Sequence, residues 1–341
     1  PFMRRLSVLF SLMAALVVTG CSSQSEEVNV YSARKEALIK PLLDRFTSET
    51  GITVNLITGS ADALVERMKA EGEHSPADVL ITTDAGRLYR AQQENQLATT
   101  DSDTLTKQVP AALRDPAGHW YGLSVRARVV VYAPDRVDPS ELSTYEALAD
   151  EQWDGRICIR SSDNIYNQSL TASLIAHNGE ADTEQWAEGL VANMARDPVG
   201  GDRDQIKALA AGECDLAVVN TYYLGMMQGG DDADSREIAN QVAVFWPNQE
   251  GRGAHINISG AGVAANAPNP DNAVRLIEFL VNDESQQWYA ETNYEYPVRA
   301  DVPVSDLLQE WGEFKQDGLP LIKLGELNAD AVKLMDRAGW K

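Results

Sequence analysis

From residue 28 onward, apolar strand patterns alternate with amphipathic helix patterns, and this alternation constrains the fold more than any other feature. A strand at 28–31 precedes a helical stretch in which Leu38, Leu42 and Phe46 recur every four residues. Pro41 within that stretch predicts a kink or a late helix start. Further strands at 52–57 and 79–82 alternate with helices at 61–70 and 84–93. Repetition of this kind predicts a parallel sheet flanked by helices.

A second series of the same kind occupies the middle of the chain. It runs from a strand at 157–160, through helices near 166–177 and 183–195, to a strand at 215–220. Two β-branched runs without attached helices, 126–133 and 241–247, bracket it and predict a chain that crosses between two lobes and returns. A length of 341 residues gives room for about two domains. We expect one lobe at 28–127 plus 252–300 and the other at 128–251 plus 301–341, with a ligand cleft between them.

The first 27 residues predict an export signal and a short tether. Met3-Arg4-Arg5 precedes an apolar run at 6–18, which at 13 residues is shorter than the ~20 needed to span a bilayer. Val18-Thr19-Gly20-Cys21 resembles a bacterial lipobox, in which the cysteine is lipidated; the alternative is an ordinary cleaved signal. We expect a signal at 1–21, a polar tether at 22–27, and a protein outside the cytoplasmic membrane, held there by a lipid on Cys21.

Composition excludes several classes of function. The chain has 51 Asp and Glu against 29 Lys and Arg, a formal charge of −22, and such a surface repels nucleic-acid phosphates. Four histidines and three cysteines leave little material for a zinc centre. With Cys21 assigned to the signal, Cys158 and Cys214 form an even pair in an oxidising compartment. We expect a disulfide that stabilises the fold by about 4 kcal/mol, with two separate buried thiols as the alternative.

Sequence motifs of covalent catalysis are missing. The chain has no Gly-x-Ser-x-Gly elbow, no Walker loop and no His-Glu-x-x-His. Gly260-Ala261-Gly262-Val263-Ala264-Ala265 matches a dinucleotide-binding pattern but leads into Pro268 rather than a helix, so it predicts a tight turn after a strand. We therefore expect a protein that is not an enzyme; an extracellular hydrolase is the rival from another class.

Three tyrosines follow strands in the second series. Tyr222 and Tyr223 come directly after the strand at 215–220, where Asn220 or Thr221 can cap a helix, and Tyr166 follows the strand at 157–160. Ligands usually bind at the carboxyl ends of strands in α/β sheets, so the three side chains could converge on a single ligand. Ordinary packing is the alternative for two adjacent aromatic residues.

Phenolate oxygens suit a hard, highly charged cation. Ionising a tyrosine of pKa near 10 at pH 7 costs about 4 kcal/mol, and three such ionisations cost about 12 kcal/mol. Only a strong Lewis acid offsets that cost, since metal binding deprotonates its ligands. Ferric iron fits, whereas calcium and magnesium prefer carboxylates and carbonyls.

Five motifs stand out along the chain: Val30-Tyr31-Ser32-Ala33-Arg34, Ser75-Pro76-Ala77-Asp78-Val79-Leu80, Arg160-Ser161-Ser162 with Tyr166-Asn167, Asn220-Thr221-Tyr222-Tyr223 and Pro247-Asn248-Gln249-Glu250-Gly251-Arg252-Gly253. Through these motifs, and over essentially the whole mature chain, the sequence resembles the periplasmic ferric-iron-binding proteins of bacterial ABC importers. The resemblance implies an α/β, two-lobed type II periplasmic-binding-protein fold, each lobe a mixed sheet flanked by helices and joined by two crossing strands. It implies Tyr166, Tyr222 and Tyr223 as iron ligands, and delivery of iron by a monomer to an ABC permease.

One motif departs from the family pattern. Many relatives continue the first motif with a His and a Tyr that supply two more ligands, but Lys35 and Glu36 stand there in this chain. The arrangement is closer to relatives that use three tyrosines and a bound anion such as carbonate. Arg34, near a helix N-terminus, is the expected anion-binding residue.

Other residues are expected around the anion and the metal. Ser161 and Ser162 could donate hydrogen bonds to the anion from the opposite lobe. Lys35 is expected to serve as a nearby positive charge, with a solvated position as its alternative. Glu36 could instead be a direct ligand, and Arg126 on the first crossing run could neutralise the cleft or form a surface ion pair. The rival of the same fold binds an organic solute such as a polyamine, thiamine or phosphonate by stacking on the tyrosines.

Overall fold

The computed structural model describes residues 26–341, so the predicted signal, Cys21 and most of the predicted tether lie outside the described residues. The described part contains nine strands. They are β1 (Glu27–Ser32), β2 (Thr53–Thr58), β3 (Val79–Thr82), β4 (Tyr121–Tyr132), β5 (Ile157–Cys158), β6 (Leu216–Asn220), β7 (Ala243–Phe245), β8 (Ile256–Val263) and β9 (Tyr296–Pro297).

The described part also contains fourteen α-helices. They are α1 (Lys40–Thr50), α2 (Ala61–Glu71), α3 (Ala85–Gln93), α4 (Asp103–Gln108), α5 (Ile165–Asn178), α6 (Glu180–Ala192), α7 (Asp202–Ala210), α8 (Thr221–Gly229), α9 (Ala233–Ala239), α10 (Pro270–Leu280), α11 (Asp283–Thr292), α12 (Asp306–Glu310), α13 (Ile322–Glu326) and α14 (Asn328–Arg337). Pro41 lies in the first turn of α1, where its missing N–H needs no partner, so the predicted late start is confirmed.

The long strand β4 joins two lobes. Residues 121–127 of β4 pair with β8, whereas residues 128–132 pair with β6 and β7. The first lobe has the strand order β2-β1-β3-β8-β4, and β6 and β5 continue the sheet into the second lobe. Parallel pairs (β1 with β2 and β3, β5 with β6) combine with antiparallel ones, so each lobe contains a mixed sheet. The chain returns from β7 in the second lobe to β8 in the first.

The predicted tight turn at Gly260–Ala265 is wrong. Gly260 and Gly262 lie within β8, which pairs with β3 on one side and β4 on the other. A Cβ at Gly260 would stand 2.8 Å from the carbonyl oxygen of Tyr121, and one at Gly262 would overlap the carbonyl oxygen of His119. These glycines therefore permit a close backbone approach inside the sheet rather than a change of direction.

Apolar side chains of both lobes are buried, and the second lobe carries a covalent cross-link. Tyr145, Trp153 and Trp186 belong to a buried cluster of the second lobe. Cys158, at the end of β5, is joined by a disulfide to Cys214, two residues before β6, so the predicted pairing is confirmed. No helix within residues 26–341 has the length and apolar character that crossing a bilayer requires.

Candidate metal centre

Two of the three tyrosines singled out from the sequence begin helix α8. Strand β6 is buried along its whole length and ends at Asn220, which occupies the N-cap position of α8. The Asn220 side-chain oxygen does not cap the helix; it accepts a hydrogen bond from Arg128 Nη1 at 3.0 Å. Tyr222 and Tyr223 therefore lie in the first turn of α8, at the carboxyl end of a central strand.

Tyr166 reaches the same place from helix α5. The Asn164 side chain caps α5 by accepting the backbone N–H of Asn167, which places Tyr166 in the first turn. Because β5 runs parallel to β6, α5 and α8 begin at the same edge of the sheet. The hydroxyl oxygens of Tyr166 and Tyr222 are 3.2 Å apart, and the ring centroids of Tyr222 and Tyr223 are 4.2 Å apart. The structure thus brings the three tyrosines together.

The tyrosines line a cavity of about 390 Å³ between the lobes. Its wall carries four cationic side chains, Arg34, Lys35, Arg126 and Arg203, and a single carboxylate, Glu295. This is a marked local excess of positive charge in a chain whose formal charge is −22. Focused positive potential of this kind favours a ligand that includes an anion.

Arg34 is buried and already has a counter-ion. Its guanidinium forms an ion pair with Glu295, and Nη1 also donates to Ser259 Oγ and to Ser124 Oγ. Burial alone would lower the pKa of Arg34, but the Glu295 carboxylate raises it above the ordinary value. Only Nε lacks a hydrogen-bond partner. Arg34 therefore offers an incoming anion one free donor and little uncompensated charge.

Arg126 presents the opposite situation. Its side chain is only 2% exposed, yet Nε and Nη2 have no hydrogen-bond partner within residues 26–341. Nη1 donates to Ser259 Oγ at 3.3 Å. The guanidinium carbon lies 5.1 Å from the ring centroid of Tyr166. Buried donors are nearly always satisfied in folded proteins. Two unsatisfied N–H groups on a buried cation in the cavity wall therefore indicate a place for a negatively charged ligand.

A charged cluster, buried except for Arg160, supports helices α5 and α8 from beneath. Asp202 Oδ2 accepts hydrogen bonds from the backbone N–H of Asn220 at 2.7 Å and from Arg128 Nη1 at 3.2 Å. Its Oδ1 accepts from Arg160 Nη1 at 3.3 Å. Arg128 in turn donates through Nε and Nη2 to Asn167 Oδ1, at 3.0 and 2.6 Å. The cluster of Asp202, Arg128 and Arg160 thus connects the residue after Tyr166 to the residue two before Tyr222.

Tyr222 and Tyr223 hold their phenolic protons at neutral pH. Burial, reinforced by the neighbouring Tyr166 and Tyr223, raises the pKa of Tyr222 well above 10. Burial and the charge of Tyr166 raise the pKa of Tyr223 to about 12. A metal that binds these oxygens must therefore displace their protons.

The remaining predicted site residues are placed differently. Lys35 is exposed at the cavity wall, while Glu36 is exposed in a 3₁₀ turn and does not line the cavity. Ser161 accepts the backbone N–H of Asp163 and lines a neighbouring pocket, and Ser162 donates its backbone N–H to the carbonyl oxygen of Lys341. The structure does not bring these two serines into the cavity. Residues 26–341 also contain no cluster of three or more His, Cys, Asp or Glu suited to a metal.

Comparison with known proteins identifies the family. Residues 42–316 match the model of the bacterial extracellular solute-binding proteins. The chain is 51% identical to Iron uptake protein A1 of Synechocystis sp., over 93% of this chain and 88% of that protein. It is 28% identical to the Fe(3+)-binding periplasmic protein of Serratia marcescens, over 98% of this chain and 96% of that protein.

Solved structures give the same result. A Trichodesmium IdiA (FutA) protein, in complex with iron and citrate, has a TM-score of 0.88 at 51% identity and covers 92% of this chain and 100% of its own. The ferric binding protein of Campylobacter jejuni has a TM-score of 0.89 at 37% identity, with the same coverage. The relatives are solute-binding proteins of transport rather than enzymes. The chain therefore belongs to the bacterial extracellular solute-binding protein family, among its iron-uptake and ferric-binding members.

Proposed function

We propose that this protein binds ferric iron through the phenolate oxygens of Tyr166, Tyr222 and Tyr223 and delivers it to an ABC permease. The observation that carries the proposal is the convergence of these tyrosines, from two helices, on one interlobe cavity, with two of their hydroxyl oxygens 3.2 Å apart. The relatives named for iron uptake and ferric-iron binding support the same cargo.

Charge and coordination number favour a second, anionic ligand. Three phenolates neutralise Fe³⁺ but fill only three positions of an octahedral shell. Because Lys35 and Glu36 stand where many relatives supply a His and a Tyr, the chain offers no further ligand at that place; Glu36 does not line the cavity. An anion bound together with the metal completes the shell.

We place the anion beside Arg126 and propose carbonate as its identity. Arg126 has two unpartnered N–H groups, whereas the Arg34 guanidinium is paired with Glu295 and contributes only Nε. Lys35 and Arg203, both exposed at the wall, add positive charge. Ser161 and Ser162 are left out of this anion site because neither lines the cavity. Citrate, the ligand of the Trichodesmium protein, is the alternative that the test below separates.

The cellular setting of the proposal is an exported monomer. The signal at 1–21 and a lipid on Cys21 would hold it at the outer face of the membrane that contains the permease. Mass spectrometry of the mature N-terminus distinguishes a lipidated Cys21 from an ordinary cleavage.

The test uses iron-stripped protein, chelated Fe³⁺ and the visible spectrum. Wild-type protein should develop a phenolate-to-iron charge-transfer band. Tyr222→Phe should abolish that band, while Tyr132→Phe, a matched change at the far end of β4, should leave it unchanged. If Tyr222→Phe retained full affinity for the cargo, the ring rather than the oxygen would be the recognition element, and an organic solute would replace iron.

The anion is tested by repeating the titration in bicarbonate, in citrate and in neither. Arg126→Gln should weaken iron binding in bicarbonate by about tenfold, the range typical of groups that support a metal site. Arg337→Gln, on helix α14, is the control and should have no effect. Full-strength binding without any added anion would contradict the anion proposal, and binding in citrate alone would replace carbonate by citrate.

A further inference from the structure

Tyr294 has an unusual backbone conformation for a bulky residue. It follows helix α11 in the first lobe and has φ of +53°, in the left-handed region that glycine and asparagine normally occupy. A large side chain in that region is strained, and such strain persists only where surrounding contacts hold it. A backbone hydrogen bond from the Glu295 N–H to the carbonyl oxygen of Tyr289 closes this turn at the end of α11, and the Tyr294 side chain packs against the other lobe.

The Tyr294 ring lies across helix α8, which carries Tyr222 and Tyr223. Gly225 and Gly229 lie one helical turn apart and leave a shallow groove on α8, and the Tyr294 ring fills this groove. A Cβ at Gly225 would stand 2.5 Å from Tyr294 Cβ, and one at Gly229 would overlap the Tyr294 ring and hydroxyl. The Tyr294 hydroxyl donates a hydrogen bond to the carbonyl oxygen of Gly229 at 3.0 Å.

The residues on either side of Tyr294 reach the cavity wall. Asn293, fully buried, donates through Nδ2 to the carbonyl oxygen of Leu38 at 3.0 Å. Glu295 forms the ion pair with Arg34. Both Leu38 and Arg34 line the cavity. Three consecutive residues thus bind two parts of the cavity wall in the first lobe and the ligand-bearing helix of the second.

We propose that Tyr294 is a latch that holds the two lobes together over the cargo and sets the rate at which the cargo leaves. The ring fits only when α8 is in the position that the structure shows, because its groove is formed by two glycines of that helix. Opening the cleft separates α8 from the first lobe and removes the ring from the groove. The latch rests on the proposed function only for the identity of the cargo.

The principal test is Tyr294→Gly. Glycine accepts the positive φ without strain, so the variant should keep the backbone turn after α11 while losing the ring. Iron should pass to an excess of competing chelator about tenfold faster, with an unchanged charge-transfer band because the ligands remain. Tyr294→Phe, which loses only the hydroxyl hydrogen bond, should accelerate release by less than threefold.

A second variant removes the contact between Tyr294 and α8 by changing the helix instead of the ring. Gly229→Ala fills the groove and should also accelerate release about tenfold, although alanine favours helix more than glycine does. The double variant should release iron no faster than the faster single variant, because each change removes the same contact. Gly318→Ala, at a position with free space around it, is the control and should match wild type. Release rates within twofold of wild type in both single variants, or multiplicative effects in the double variant, would overturn the latch.

Hydrogen exchange separates failure of the latch from failure of the iron proposal. In iron-free protein, amides of α8 should exchange about tenfold faster in Tyr294→Gly than in wild type, while those of α14 stay unchanged. If wild type bound no iron but showed this difference, the latch would stand and the cargo would be wrong. Equal exchange of α8 in the two proteins would overturn the latch whatever the cargo.

Discussion

Asp202→Asn should destabilise the second lobe severely, because it removes the carboxylate that pairs with the buried Arg128 and the partly exposed Arg160. The Asp202 side chain is fully buried and that of Arg128 is 1% exposed. Burial, together with the nearby Arg160, lowers the pKa of Arg128 even with Asp202 in place, so the charged form of Arg128 already carries a desolvation penalty. The variant leaves that charge without a counter-ion.

The expected size follows from the geometry. Breaking a buried ion pair by neutralising one partner costs about 3–5 kcal/mol. Asparagine keeps one oxygen that can accept from Asn220 or Arg128, which places the expected loss at the lower end, about 3 kcal/mol. That is a large share of the ~5–15 kcal/mol by which domains are stable.

The assay is denaturant unfolding of iron-free protein, followed by the visible spectrum of the iron complex. Asp301→Asn is the matched control, since Asp301 forms an exposed ion pair with Arg299. The control should leave the unfolding midpoint nearly unchanged. Where Asp202→Asn still loads iron, its charge-transfer band should shift, because Asn167 and Asn220, which the cluster holds, adjoin the proposed ligands. A midpoint equal to that of the control would refute the argument that this cluster stabilises the site.

Three further outcomes are expected. At a fixed anion concentration, iron affinity should rise by up to about a thousandfold per pH unit, because each of the three proposed phenolate ligands releases a proton when the metal binds. The raised pKa values of Tyr222 and Tyr223 keep those two protons in place until then. Competition with a chelator measures the affinity, and an affinity independent of pH would contradict phenolate binding. Replacing Cys158 and Cys214 by serine should cost about 4 kcal/mol in unfolding experiments, since their link closes a loop with a sequence separation of 56; no loss would mean that the bond does not constrain the unfolded chain. Burial and neighbouring arginines lower the pKa of His255 to about 3, so as the pH falls His255 takes up a proton in the unfolded state before it does so in the folded state. The free energy of unfolding should therefore fall by up to about 1.4 kcal/mol per pH unit between pH 6.5 and 4.5. If His255→Gln showed the same dependence of unfolding free energy on pH, this expectation would be refuted.

The position of the tyrosines was predictable because it follows from local rules. An apolar run followed by a polar residue at the N-cap position, as at Asn220, places a helix start at the end of a strand, although the Asn220 side chain bonds Arg128 instead of the helix. Parallel strands end at the same edge of a sheet. Since β5 and β6 are parallel, Tyr166 and Tyr222 had to lie on one side of the second lobe. The 56 residues that separate them in sequence do not matter to this argument.

The charged part of the cavity was not predictable in the same way. Glu295 lies 261 residues from Arg34, and nothing in its local sequence marks it as buried. Arg126 and Arg128 are two residues apart on β4 and therefore lie on the same face of that strand. Between them, however, β4 changes its pairing partner from β8 to β6. Arg126 therefore lines the cavity, whereas Arg128 lies beneath helices α5 and α8 and pairs with Asp202. Only the tertiary arrangement assigns the free donors to Arg126 and the paired guanidinium to Arg34.

Charge balance gives the strongest physical reason for an anion in the loaded site. When Fe³⁺ replaces three phenolic protons, the net charge of the tyrosine cluster is unchanged. Iron binding therefore adds no negative charge that could compensate the cationic side chains around the cluster. Lys35 and Arg203 are exposed, and water screens them. Arg126 is buried without a counter-ion, and an uncompensated buried charge is costly. Carbonate can occupy open iron positions and accept from Arg126 at once, which removes that cost with the smallest ligand. A larger polycarboxylate would gain mainly from the two hydrated cations, which need it least.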